Sequence, residues 1–84
     1  MTNITILTRP GCSYCESAKQ LLRQHRIAYR EVDLVNGGEE ATRLLTQSGR
    51  RTVPQIFIQQ HPIGGYTELT EMIGNSEIDL ARAN

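Results

Sequence analysis

The two cysteines of the 84-residue chain, Cys12 and Cys15, stand three positions apart. Side chains at i and i+3 share one face of a helix, with Cβ atoms about 5–6 Å apart, so the two thiols can form a reversible disulfide after a small rotation. Pro10 and Gly11 interrupt the preceding element, and good helix formers follow from Glu16 onward. The spacing therefore predicts a redox-active dithiol at the start of a helix.

The two thiols are expected to differ in reactivity. The free backbone N–H groups at a helix N-terminus favour a thiolate, and the cation Arg9 acts on Cys12 in the same direction. We therefore expect Cys12 to be an exposed nucleophile. Cys15 lies one turn further into the helix, so we expect it to hold its proton more firmly and to resolve a mixed disulfide.

Two other uses of this cysteine spacing are disfavoured. A zinc site needs four ligands, and the remaining candidates, His25 and His61, lack the spacing of a zinc knuckle. A static disulfide would suit a small secreted domain. However, strand-like residues begin a few positions before the cysteines, so we expect no secretory signal and a cytoplasmic location.

The composition is that of an ordinary globular chain, and we expect one domain over residues 1–84. Nine basic and nine acidic residues give zero formal net charge, which argues against nucleic acid or an acidic membrane as the main partner. We find no sign of an oligomer and expect a monomer. The first helix is rich in cations, and for Lys19, Arg23 and Arg26 we expect a solvated helix face.

The surrounding elements predict where the thiols lie. We expect strands at residues 4–7, 27–33, 55–59 and 62–63, helices at 12–25 and 39–49 and after an N-cap at Thr67, and a last short helix capped by Asn75 or Ser76. A strand–helix–strand unit implies a parallel pair, and the last two strands should form a hairpin. Cys12 then lies just beyond the carboxyl end of the first strand, where open α/β sheets place their ligand sites.

Three segments resemble the sequence landmarks of glutaredoxins, in the family's order. They are Cys-Ser-Tyr-Cys at residues 12–15, Thr-Val-Pro-Gln-Ile-Phe-Ile at 52–58 and Gly-Gly-Tyr-Thr-Glu-Leu at 64–69. The resemblance spans essentially the whole chain. It implies an α/β thioredoxin fold, with a four-stranded mixed sheet and three to four helices. It also implies glutathione-dependent reduction of glutathionylated proteins and of disulfide-containing proteins such as ribonucleotide reductase.

The resemblance further implies a glutathione groove beside Cys12. The residues that it implies for this groove are Arg9, Tyr14, Arg51, Thr52, Val53, Pro54, Gly65, Tyr66, Thr67 and Glu68. In the family, Pro54 follows a cis bond and presents the Val53 backbone to the cysteinyl part of glutathione. The turn at Gly64–Gly65 and the following helix start receive its γ-glutamyl end, as a helix N-terminus suits a carboxylate.

Two assignments in this groove have alternatives. Arg9 and Arg51 are implied for the glycyl carboxylate, but Arg51 is equally compatible with an ordinary charge on a loop. Tyr14 is implied as a wall of the groove, and its alternative is core packing. Its position beside Cys12 favours the groove.

The chain departs from the common family pattern at two positions. Ser13 stands where proline is common, and Glu68 stands where aspartate is usual. Variants without this proline often hold a [2Fe–2S] cluster between two subunits, through the nucleophilic cysteine, here Cys12, and bound glutathione. Cluster binding or transfer is therefore a second hypothesis. A third is an electron donor to ribonucleotide reductase that is itself reduced by thioredoxin reductase.

Overall fold

The computed structural model describes residues 4–75. In chain order the elements are β1 (Ile4–Thr8), α1 (Ser13–Gln24), β2 (Arg30–Asp33), α2 (Gly38–Ser48), β3 (Gln55–Ile58), β4 (His61–Gly64) and α3 (Tyr66–Gly74). The predicted short helix after residue 75 lies outside the described residues. Within residues 4–75, no helix has the length and apolar character needed to cross a membrane.

The strands form one mixed sheet in the order β2-β1-β3-β4. β1 and β2 are parallel, with Leu7 opposite Val32, whereas β1 and β3 are antiparallel, with Ile6 opposite Ile56. β3 and β4 form the expected antiparallel hairpin. The predicted four-stranded mixed sheet is therefore confirmed, and β1 occupies a central position that brings its carboxyl end to the middle of one edge.

Alternate side chains of the buried strands pack on opposite faces of the sheet, as the two-residue period of a strand requires. Ile6 and Ile56 pack with Leu22 of α1 and Leu69 of α3. The other face holds a second cluster, which comprises Leu7, Val32, Ala41, Leu44 and Phe57. The sheet thus lies between α1 and α3 on one side and α2 on the other, and the two cores fix the start of α1 relative to β1.

All four strands differ from the prediction at one end or both. β1 ends at Thr8 and not at Leu7, and β4 covers His61–Gly64 and not only residues 62–63. β2 begins at Arg30, because Ile27 lies in the segment that follows α1, where its N–H donates to the Leu22 carbonyl at 2.9 Å and not to a strand. β3 ends at Ile58, because Gln59 and Gln60 have φ values of 51° and 73°. Two consecutive residues with positive φ are typical of a two-residue hairpin turn.

Of three predicted helix ends, the start of α1 and the end of α2 follow local sequence signals, and the start of α3 does not. Cys12 is the N-cap of α1, and Gly49, with a φ of 71°, ends α2 in the left-handed conformation, both as predicted. The prediction for α3 is wrong. Gly65 rather than Thr67 is the N-cap, because the carboxylate of Glu68 reaches back to accept the Gly65 N–H at 2.6 Å. Gly65 has no side chain, so only this half of a capping box is formed.

Candidate active site

Cys12 lies where β1 has ended and α1 begins. Its backbone is extended, with φ −94° and ψ 111°, and its Sγ accepts the Cys15 N–H at 3.1 Å. The N–H group is one of the unpaired donors of the first helical turn. The structure thus confirms the placement at a helix N-terminus, although Cys12 is half-buried rather than exposed.

Cys15 has the environment of a thiol that keeps its proton. Its side chain is completely buried, and burial is the main cause that raises its pKa from 9.0 to about 12. The hydrogen bond with Cys12 raises the pKa further. The predicted asymmetry between the two cysteines is therefore present, and its main physical cause is desolvation rather than distance from the helix end.

The loop before β3 brings a backbone carbonyl to the nucleophile. The Val53–Pro54 peptide bond is cis, as the resemblance implied. The Cys12 thiol donates to the Val53 carbonyl at 3.7 Å, although the two residues are 41 positions apart. Gln55, which is buried, donates from Nε2 to the carbonyl and hydroxyl of Thr52 at 2.9 and 3.2 Å and so holds this loop.

A groove of about 280 Å³ opens beside the loop. It is lined by Tyr14, Arg50, Thr52, Val53, Pro54, Gln55, Gly65, Tyr66, Thr67 and Glu68. Eight of the residues that the resemblance implied are in this set. Tyr14 is 64 % exposed, and its ring centre lies 5.8 Å from that of Tyr66. Tyr14 is therefore a wall of the groove and not a core residue.

Both implied cations, Arg9 and Arg51, lie outside this lining. Arg9 is exposed at the end of β1, and Arg51 is exposed and lines a separate hollow beside the end of α2. Arg50 lines the groove although the resemblance did not imply it, and Arg51 stays a prediction for the glycyl carboxylate. Adjacent residues of a loop point in different directions, and no local signal in Arg50-Arg51 distinguishes them.

Glu68 lines the groove and interacts with two backbone N–H groups and one side chain. Its carboxylate accepts the Gly65 N–H and lies 3.7 Å from Nη1 of Arg50. The Gly65 N–H, the N–H of Glu68 itself and the Arg50 charge, in that order of effect, hold the pKa of this carboxyl below its usual value. The side chain packs over Gly64, where any Cβ would lie only 2.6 Å from it.

A second concavity is larger but has no connection with the thiols. It measures about 630 Å³ and is lined by Leu34, Val35, Gly38, Glu39, Thr42 and Arg43 at the start of α2. The smaller groove includes Val53, whose carbonyl accepts the Cys12 thiol, so we assign the chemistry to that groove. Among residues 4–75, no three His, Cys, Asp or Glu side chains are grouped to hold a metal ion.

The geometry of a helix-capping thiol, a buried partner thiol and a facing backbone carbonyl is that of a thiol–disulfide exchange site. The family model "Glutaredoxin" matches residues 4–63, and the chain belongs to the glutaredoxin family. It is 34% identical over 79 residues to Glutaredoxin 3 of Escherichia coli strain K12, and this alignment covers 94% of this chain and 95% of the relative. Membership implies a thiol oxidoreductase.

Solved structures agree with this assignment. The solution structure of glutaredoxin from Brucella melitensis aligns with a TM-score of 0.77 and 37% identity, covering 94% of this chain and 86% of the other. The crystal structure of the buckwheat glutaredoxin–glutathione complex aligns with a TM-score of 0.81 and 26% identity, covering 95% and 76%. The fold is therefore thioredoxin-like, as expected.

Proposed function

We propose that this glutaredoxin uses glutathione to reduce protein–glutathione mixed disulfides and protein disulfides. The observation that supports this most directly is the position of the Cys12 Sγ, 3.1 Å from the Cys15 N–H and 3.7 Å from the Val53 carbonyl. When Cys12 is deprotonated, the Cys15 N–H can donate to the negative charge on its sulfur. The Val53 backbone that faces this sulfur can align a peptide-like ligand.

In the first step, the Cys12 thiolate attacks the glutathione sulfur of a mixed disulfide. The bond between that sulfur and the substrate sulfur breaks, and the substrate leaves as a thiol after taking up a proton from solvent. Cys12 is now joined to glutathione. The Cys15 N–H stabilises the charge on the Cys12 sulfur before the attack, and the groove selects glutathione rather than the protein attached to it.

In the second step, the glutathionylated Cys12 is released by one of two routes. A second glutathione can attack the glutathione sulfur, which gives glutathione disulfide and restores Cys12. Alternatively, Cys15 attacks the Cys12 sulfur, glutathione leaves as a thiol, and the resulting intramolecular disulfide is later reduced by glutathione. The second route is the one required for reducing protein disulfides by the dithiol mechanism.

The polar ends of the groove suit the two ends of glutathione. The Arg50 guanidinium and the Glu68 carboxylate, which lie 3.7 Å apart, support a role for this end of the groove in receiving the γ-glutamyl carboxylate and ammonium. Arg9 and Arg51 remain candidates for the glycyl carboxylate from the flanks. Glutaredoxin couples lie at about −200 to −230 mV, close to the cytosolic glutathione pool, so the cytoplasm is a suitable compartment for both directions of exchange.

A [2Fe–2S] cluster is the second candidate, which Ser13 at the first position of α1 supports. A cluster of this type needs four ligands, usually thiolates. Cys15 is completely buried, so one copy of the chain supplies only Cys12. A cluster would therefore require two copies, each with one bound glutathione. Reduction by thioredoxin reductase, with ribonucleotide reductase as the substrate, is the third candidate.

The test is reduction of a glutathionylated peptide by the wild type, Cys12→Ser and Cys15→Ser, with glutathione or thioredoxin reductase as the electron source. We expect turnover with glutathione that survives the loss of Cys15 but not the loss of Cys12. A protein disulfide assayed in parallel should be reduced through the dithiol route only when both cysteines are present.

Each alternative predicts a different result. Turnover with the reductase alone would support the electron donor and overturn the glutathione proposal. No turnover with either source, together with a glutathione-dependent dimer that shows cluster absorbance after anaerobic reconstitution, would support cluster binding. Equal loss of activity in the two cysteine variants would contradict the separate roles of nucleophile and resolving thiol.

A further inference from the structure

A network of polar side chains links α1 to the parallel strands β1 and β2. Lys19 follows Cys15 by four residues, so the two side chains share a face of α1. Lys19 Nζ lies 2.8 Å from an oxygen of Glu16 and 3.1 Å from an oxygen of Glu31 on β2. The same Glu31 oxygen accepts the hydroxyl of the buried Thr8 at 2.6 Å.

The burial of Lys19 separates it from the other cations of α1. Its side chain is only 14% exposed, whereas Arg23 and Arg26 are exposed. The expectation that Lys19 belongs to a solvated helix face is therefore wrong. A lysine in this position loses solvation, and two carboxylates, Glu16 on α1 and Glu31 on β2, compensate for that loss.

We propose that Lys19 is a positioning residue for the dithiol step, where its charge stabilises the Cys15 thiolate as it attacks the Cys12 sulfur. This inference deepens the proposed function and rests on the same two thiols. In the step concerned, the Cys15–Cys12 disulfide bond forms and the bond from Cys12 to its bound thiol breaks. The proton of Cys15 passes to solvent, and the departing thiolate carries the negative charge away, so the exchange has no net oxidation.

The charges around Cys15 set the direction in which Lys19 changes its reactivity. Burial and the neighbouring Cys12 raise the pKa of Cys15, whereas the backbone of Arg9 and the charge of Lys19 lower it. Lys19 in turn faces Glu16 and Glu31, and Asp33 acts on Glu31. Removing Lys19 takes one positive charge from the surroundings of Cys15 whether or not these carboxylates are present. Neutralising Glu31 takes away one negative charge.

These opposite signs provide the test. The reduced protein is treated with one equivalent of Ellman's reagent, an aromatic disulfide whose thiolate is coloured. The attack of Cys12 releases the first thiolate, and the attack of Cys15 on the Cys12 mixed disulfide releases the second in a first-order phase. The variants are Lys19→Met, Lys19→Arg and Glu31→Gln, and Arg23→Met is the matched control that removes an exposed cation one turn away. The rate of the second phase is measured against pH.

We expect Lys19→Met to slow the second phase by about three- to tenfold near neutral pH and to move its pH profile upward. Glu31→Gln should speed the second phase and move the pH profile downward, because it removes a negative charge. The amide oxygen of this variant can still accept the Thr8 hydroxyl. Lys19→Arg should restore the wild-type profile, and Arg23→Met should leave it unchanged. The first phase should change little in any of them.

A merely structural role gives a different pattern. Both Lys19→Met and Glu31→Gln break the same ion pair, so a structural role would move the second phase in the same direction in both, and this result would overturn the proposal. An unchanged profile in Lys19→Met would also overturn it. The assay contains no glutathione, so failure of the proposed glutathione activity would leave its outcome unaffected.

Discussion

The carboxylate of Glu68 offers a quantitative test of how the groove is built. It caps α3 through the Gly65 N–H at 2.6 Å and lies 3.7 Å from Arg50, with 36% of its side chain exposed. Replacing it with alanine removes both interactions. Replacing it with glutamine keeps an oxygen that can accept the N–H and removes only the charge. The difference between Glu68→Ala and Glu68→Gln therefore separates the hydrogen bond from the electrostatic contribution.

The expected magnitudes follow from these contacts. A charge at a helix N-terminus contributes about 0.3–1 kcal/mol, and an exposed ion pair adds at most about 0.5 kcal/mol. Glu68→Gln should therefore lower the free energy of unfolding by about 0.5–1 kcal/mol. Loss of the N–H acceptor as well should bring the cost of Glu68→Ala to about 1–2 kcal/mol. For a domain of this size, 1 kcal/mol corresponds to a melting temperature lower by about 4–8 °C.

The pH dependence provides the second half of the test. The pKa of Glu68 is lower in the folded state than the ordinary value of 4.5, so its stabilising charge is present above pH 4.5 and is lost as the pH falls through the folded pKa. A protonated Glu68 resembles the glutamine variant. The stability difference between the wild type and Glu68→Gln should thus be full at neutral pH and disappear in acid.

Urea unfolding followed by circular dichroism, at about pH 7 and at about pH 3.5, measures both effects. Glu71→Gln is the matched control, because Glu71 is exposed on the same helix and does not line the groove. A difference for Glu68→Gln that persists unchanged in acid, or that Glu71→Gln reproduces, would show that the capping carboxylate does not have the role described above.

Three further predictions concern the groove and the thiols. Arg50→Met should raise the KM for a glutathionylated peptide by about fivefold, equivalent to about 1 kcal/mol. Arg51→Met should raise it less, because Arg51 lies outside the groove lining, and steady-state kinetics that show the reverse order would contradict this. Iodoacetamide should label Cys12 in the folded protein and Cys15 only after unfolding, because Cys15 is buried and its pKa is raised to about 12. Peptide mapping that finds equal labelling of the two cysteines in the folded protein would refute this. Gly64→Ala should cost about 1–3 kcal/mol in urea unfolding, since its φ is 115° and its Cβ would meet the capping side chain, and a neutral result would show that the turn rearranges freely.

The sequence by itself determined the features that depend on local chemistry. The short apolar run at Ile4–Leu7 indicated the first strand, and the Pro10-Gly11 break followed by helix formers indicated that α1 starts at Cys12. Gly49 indicated the end of α2, since glycine adopts positive φ without steric cost. The three family landmarks then predicted the groove, and eight of the implied residues line it.

The tertiary structure decided the features that depend on side-chain direction. Arg50 rather than Arg51 lines the groove, and Glu68 folds back onto Gly65 rather than leaving Thr67 as the cap. Neighbouring residues of the same type are equivalent in a sequence, and only the path of the loop against α3 makes them different.

Burial is the other property that only the packed chain determined. Lys19 has the same charge as the exposed arginines of α1, yet packing of the helix on β1 and β2 encloses it with Glu31 and Thr8. The same packing buries Cys15 completely and raises its pKa. Desolvation depends on atoms that are distant in the sequence, so the order of residues predicts which thiol is first in the helix but not how strongly the second holds its proton.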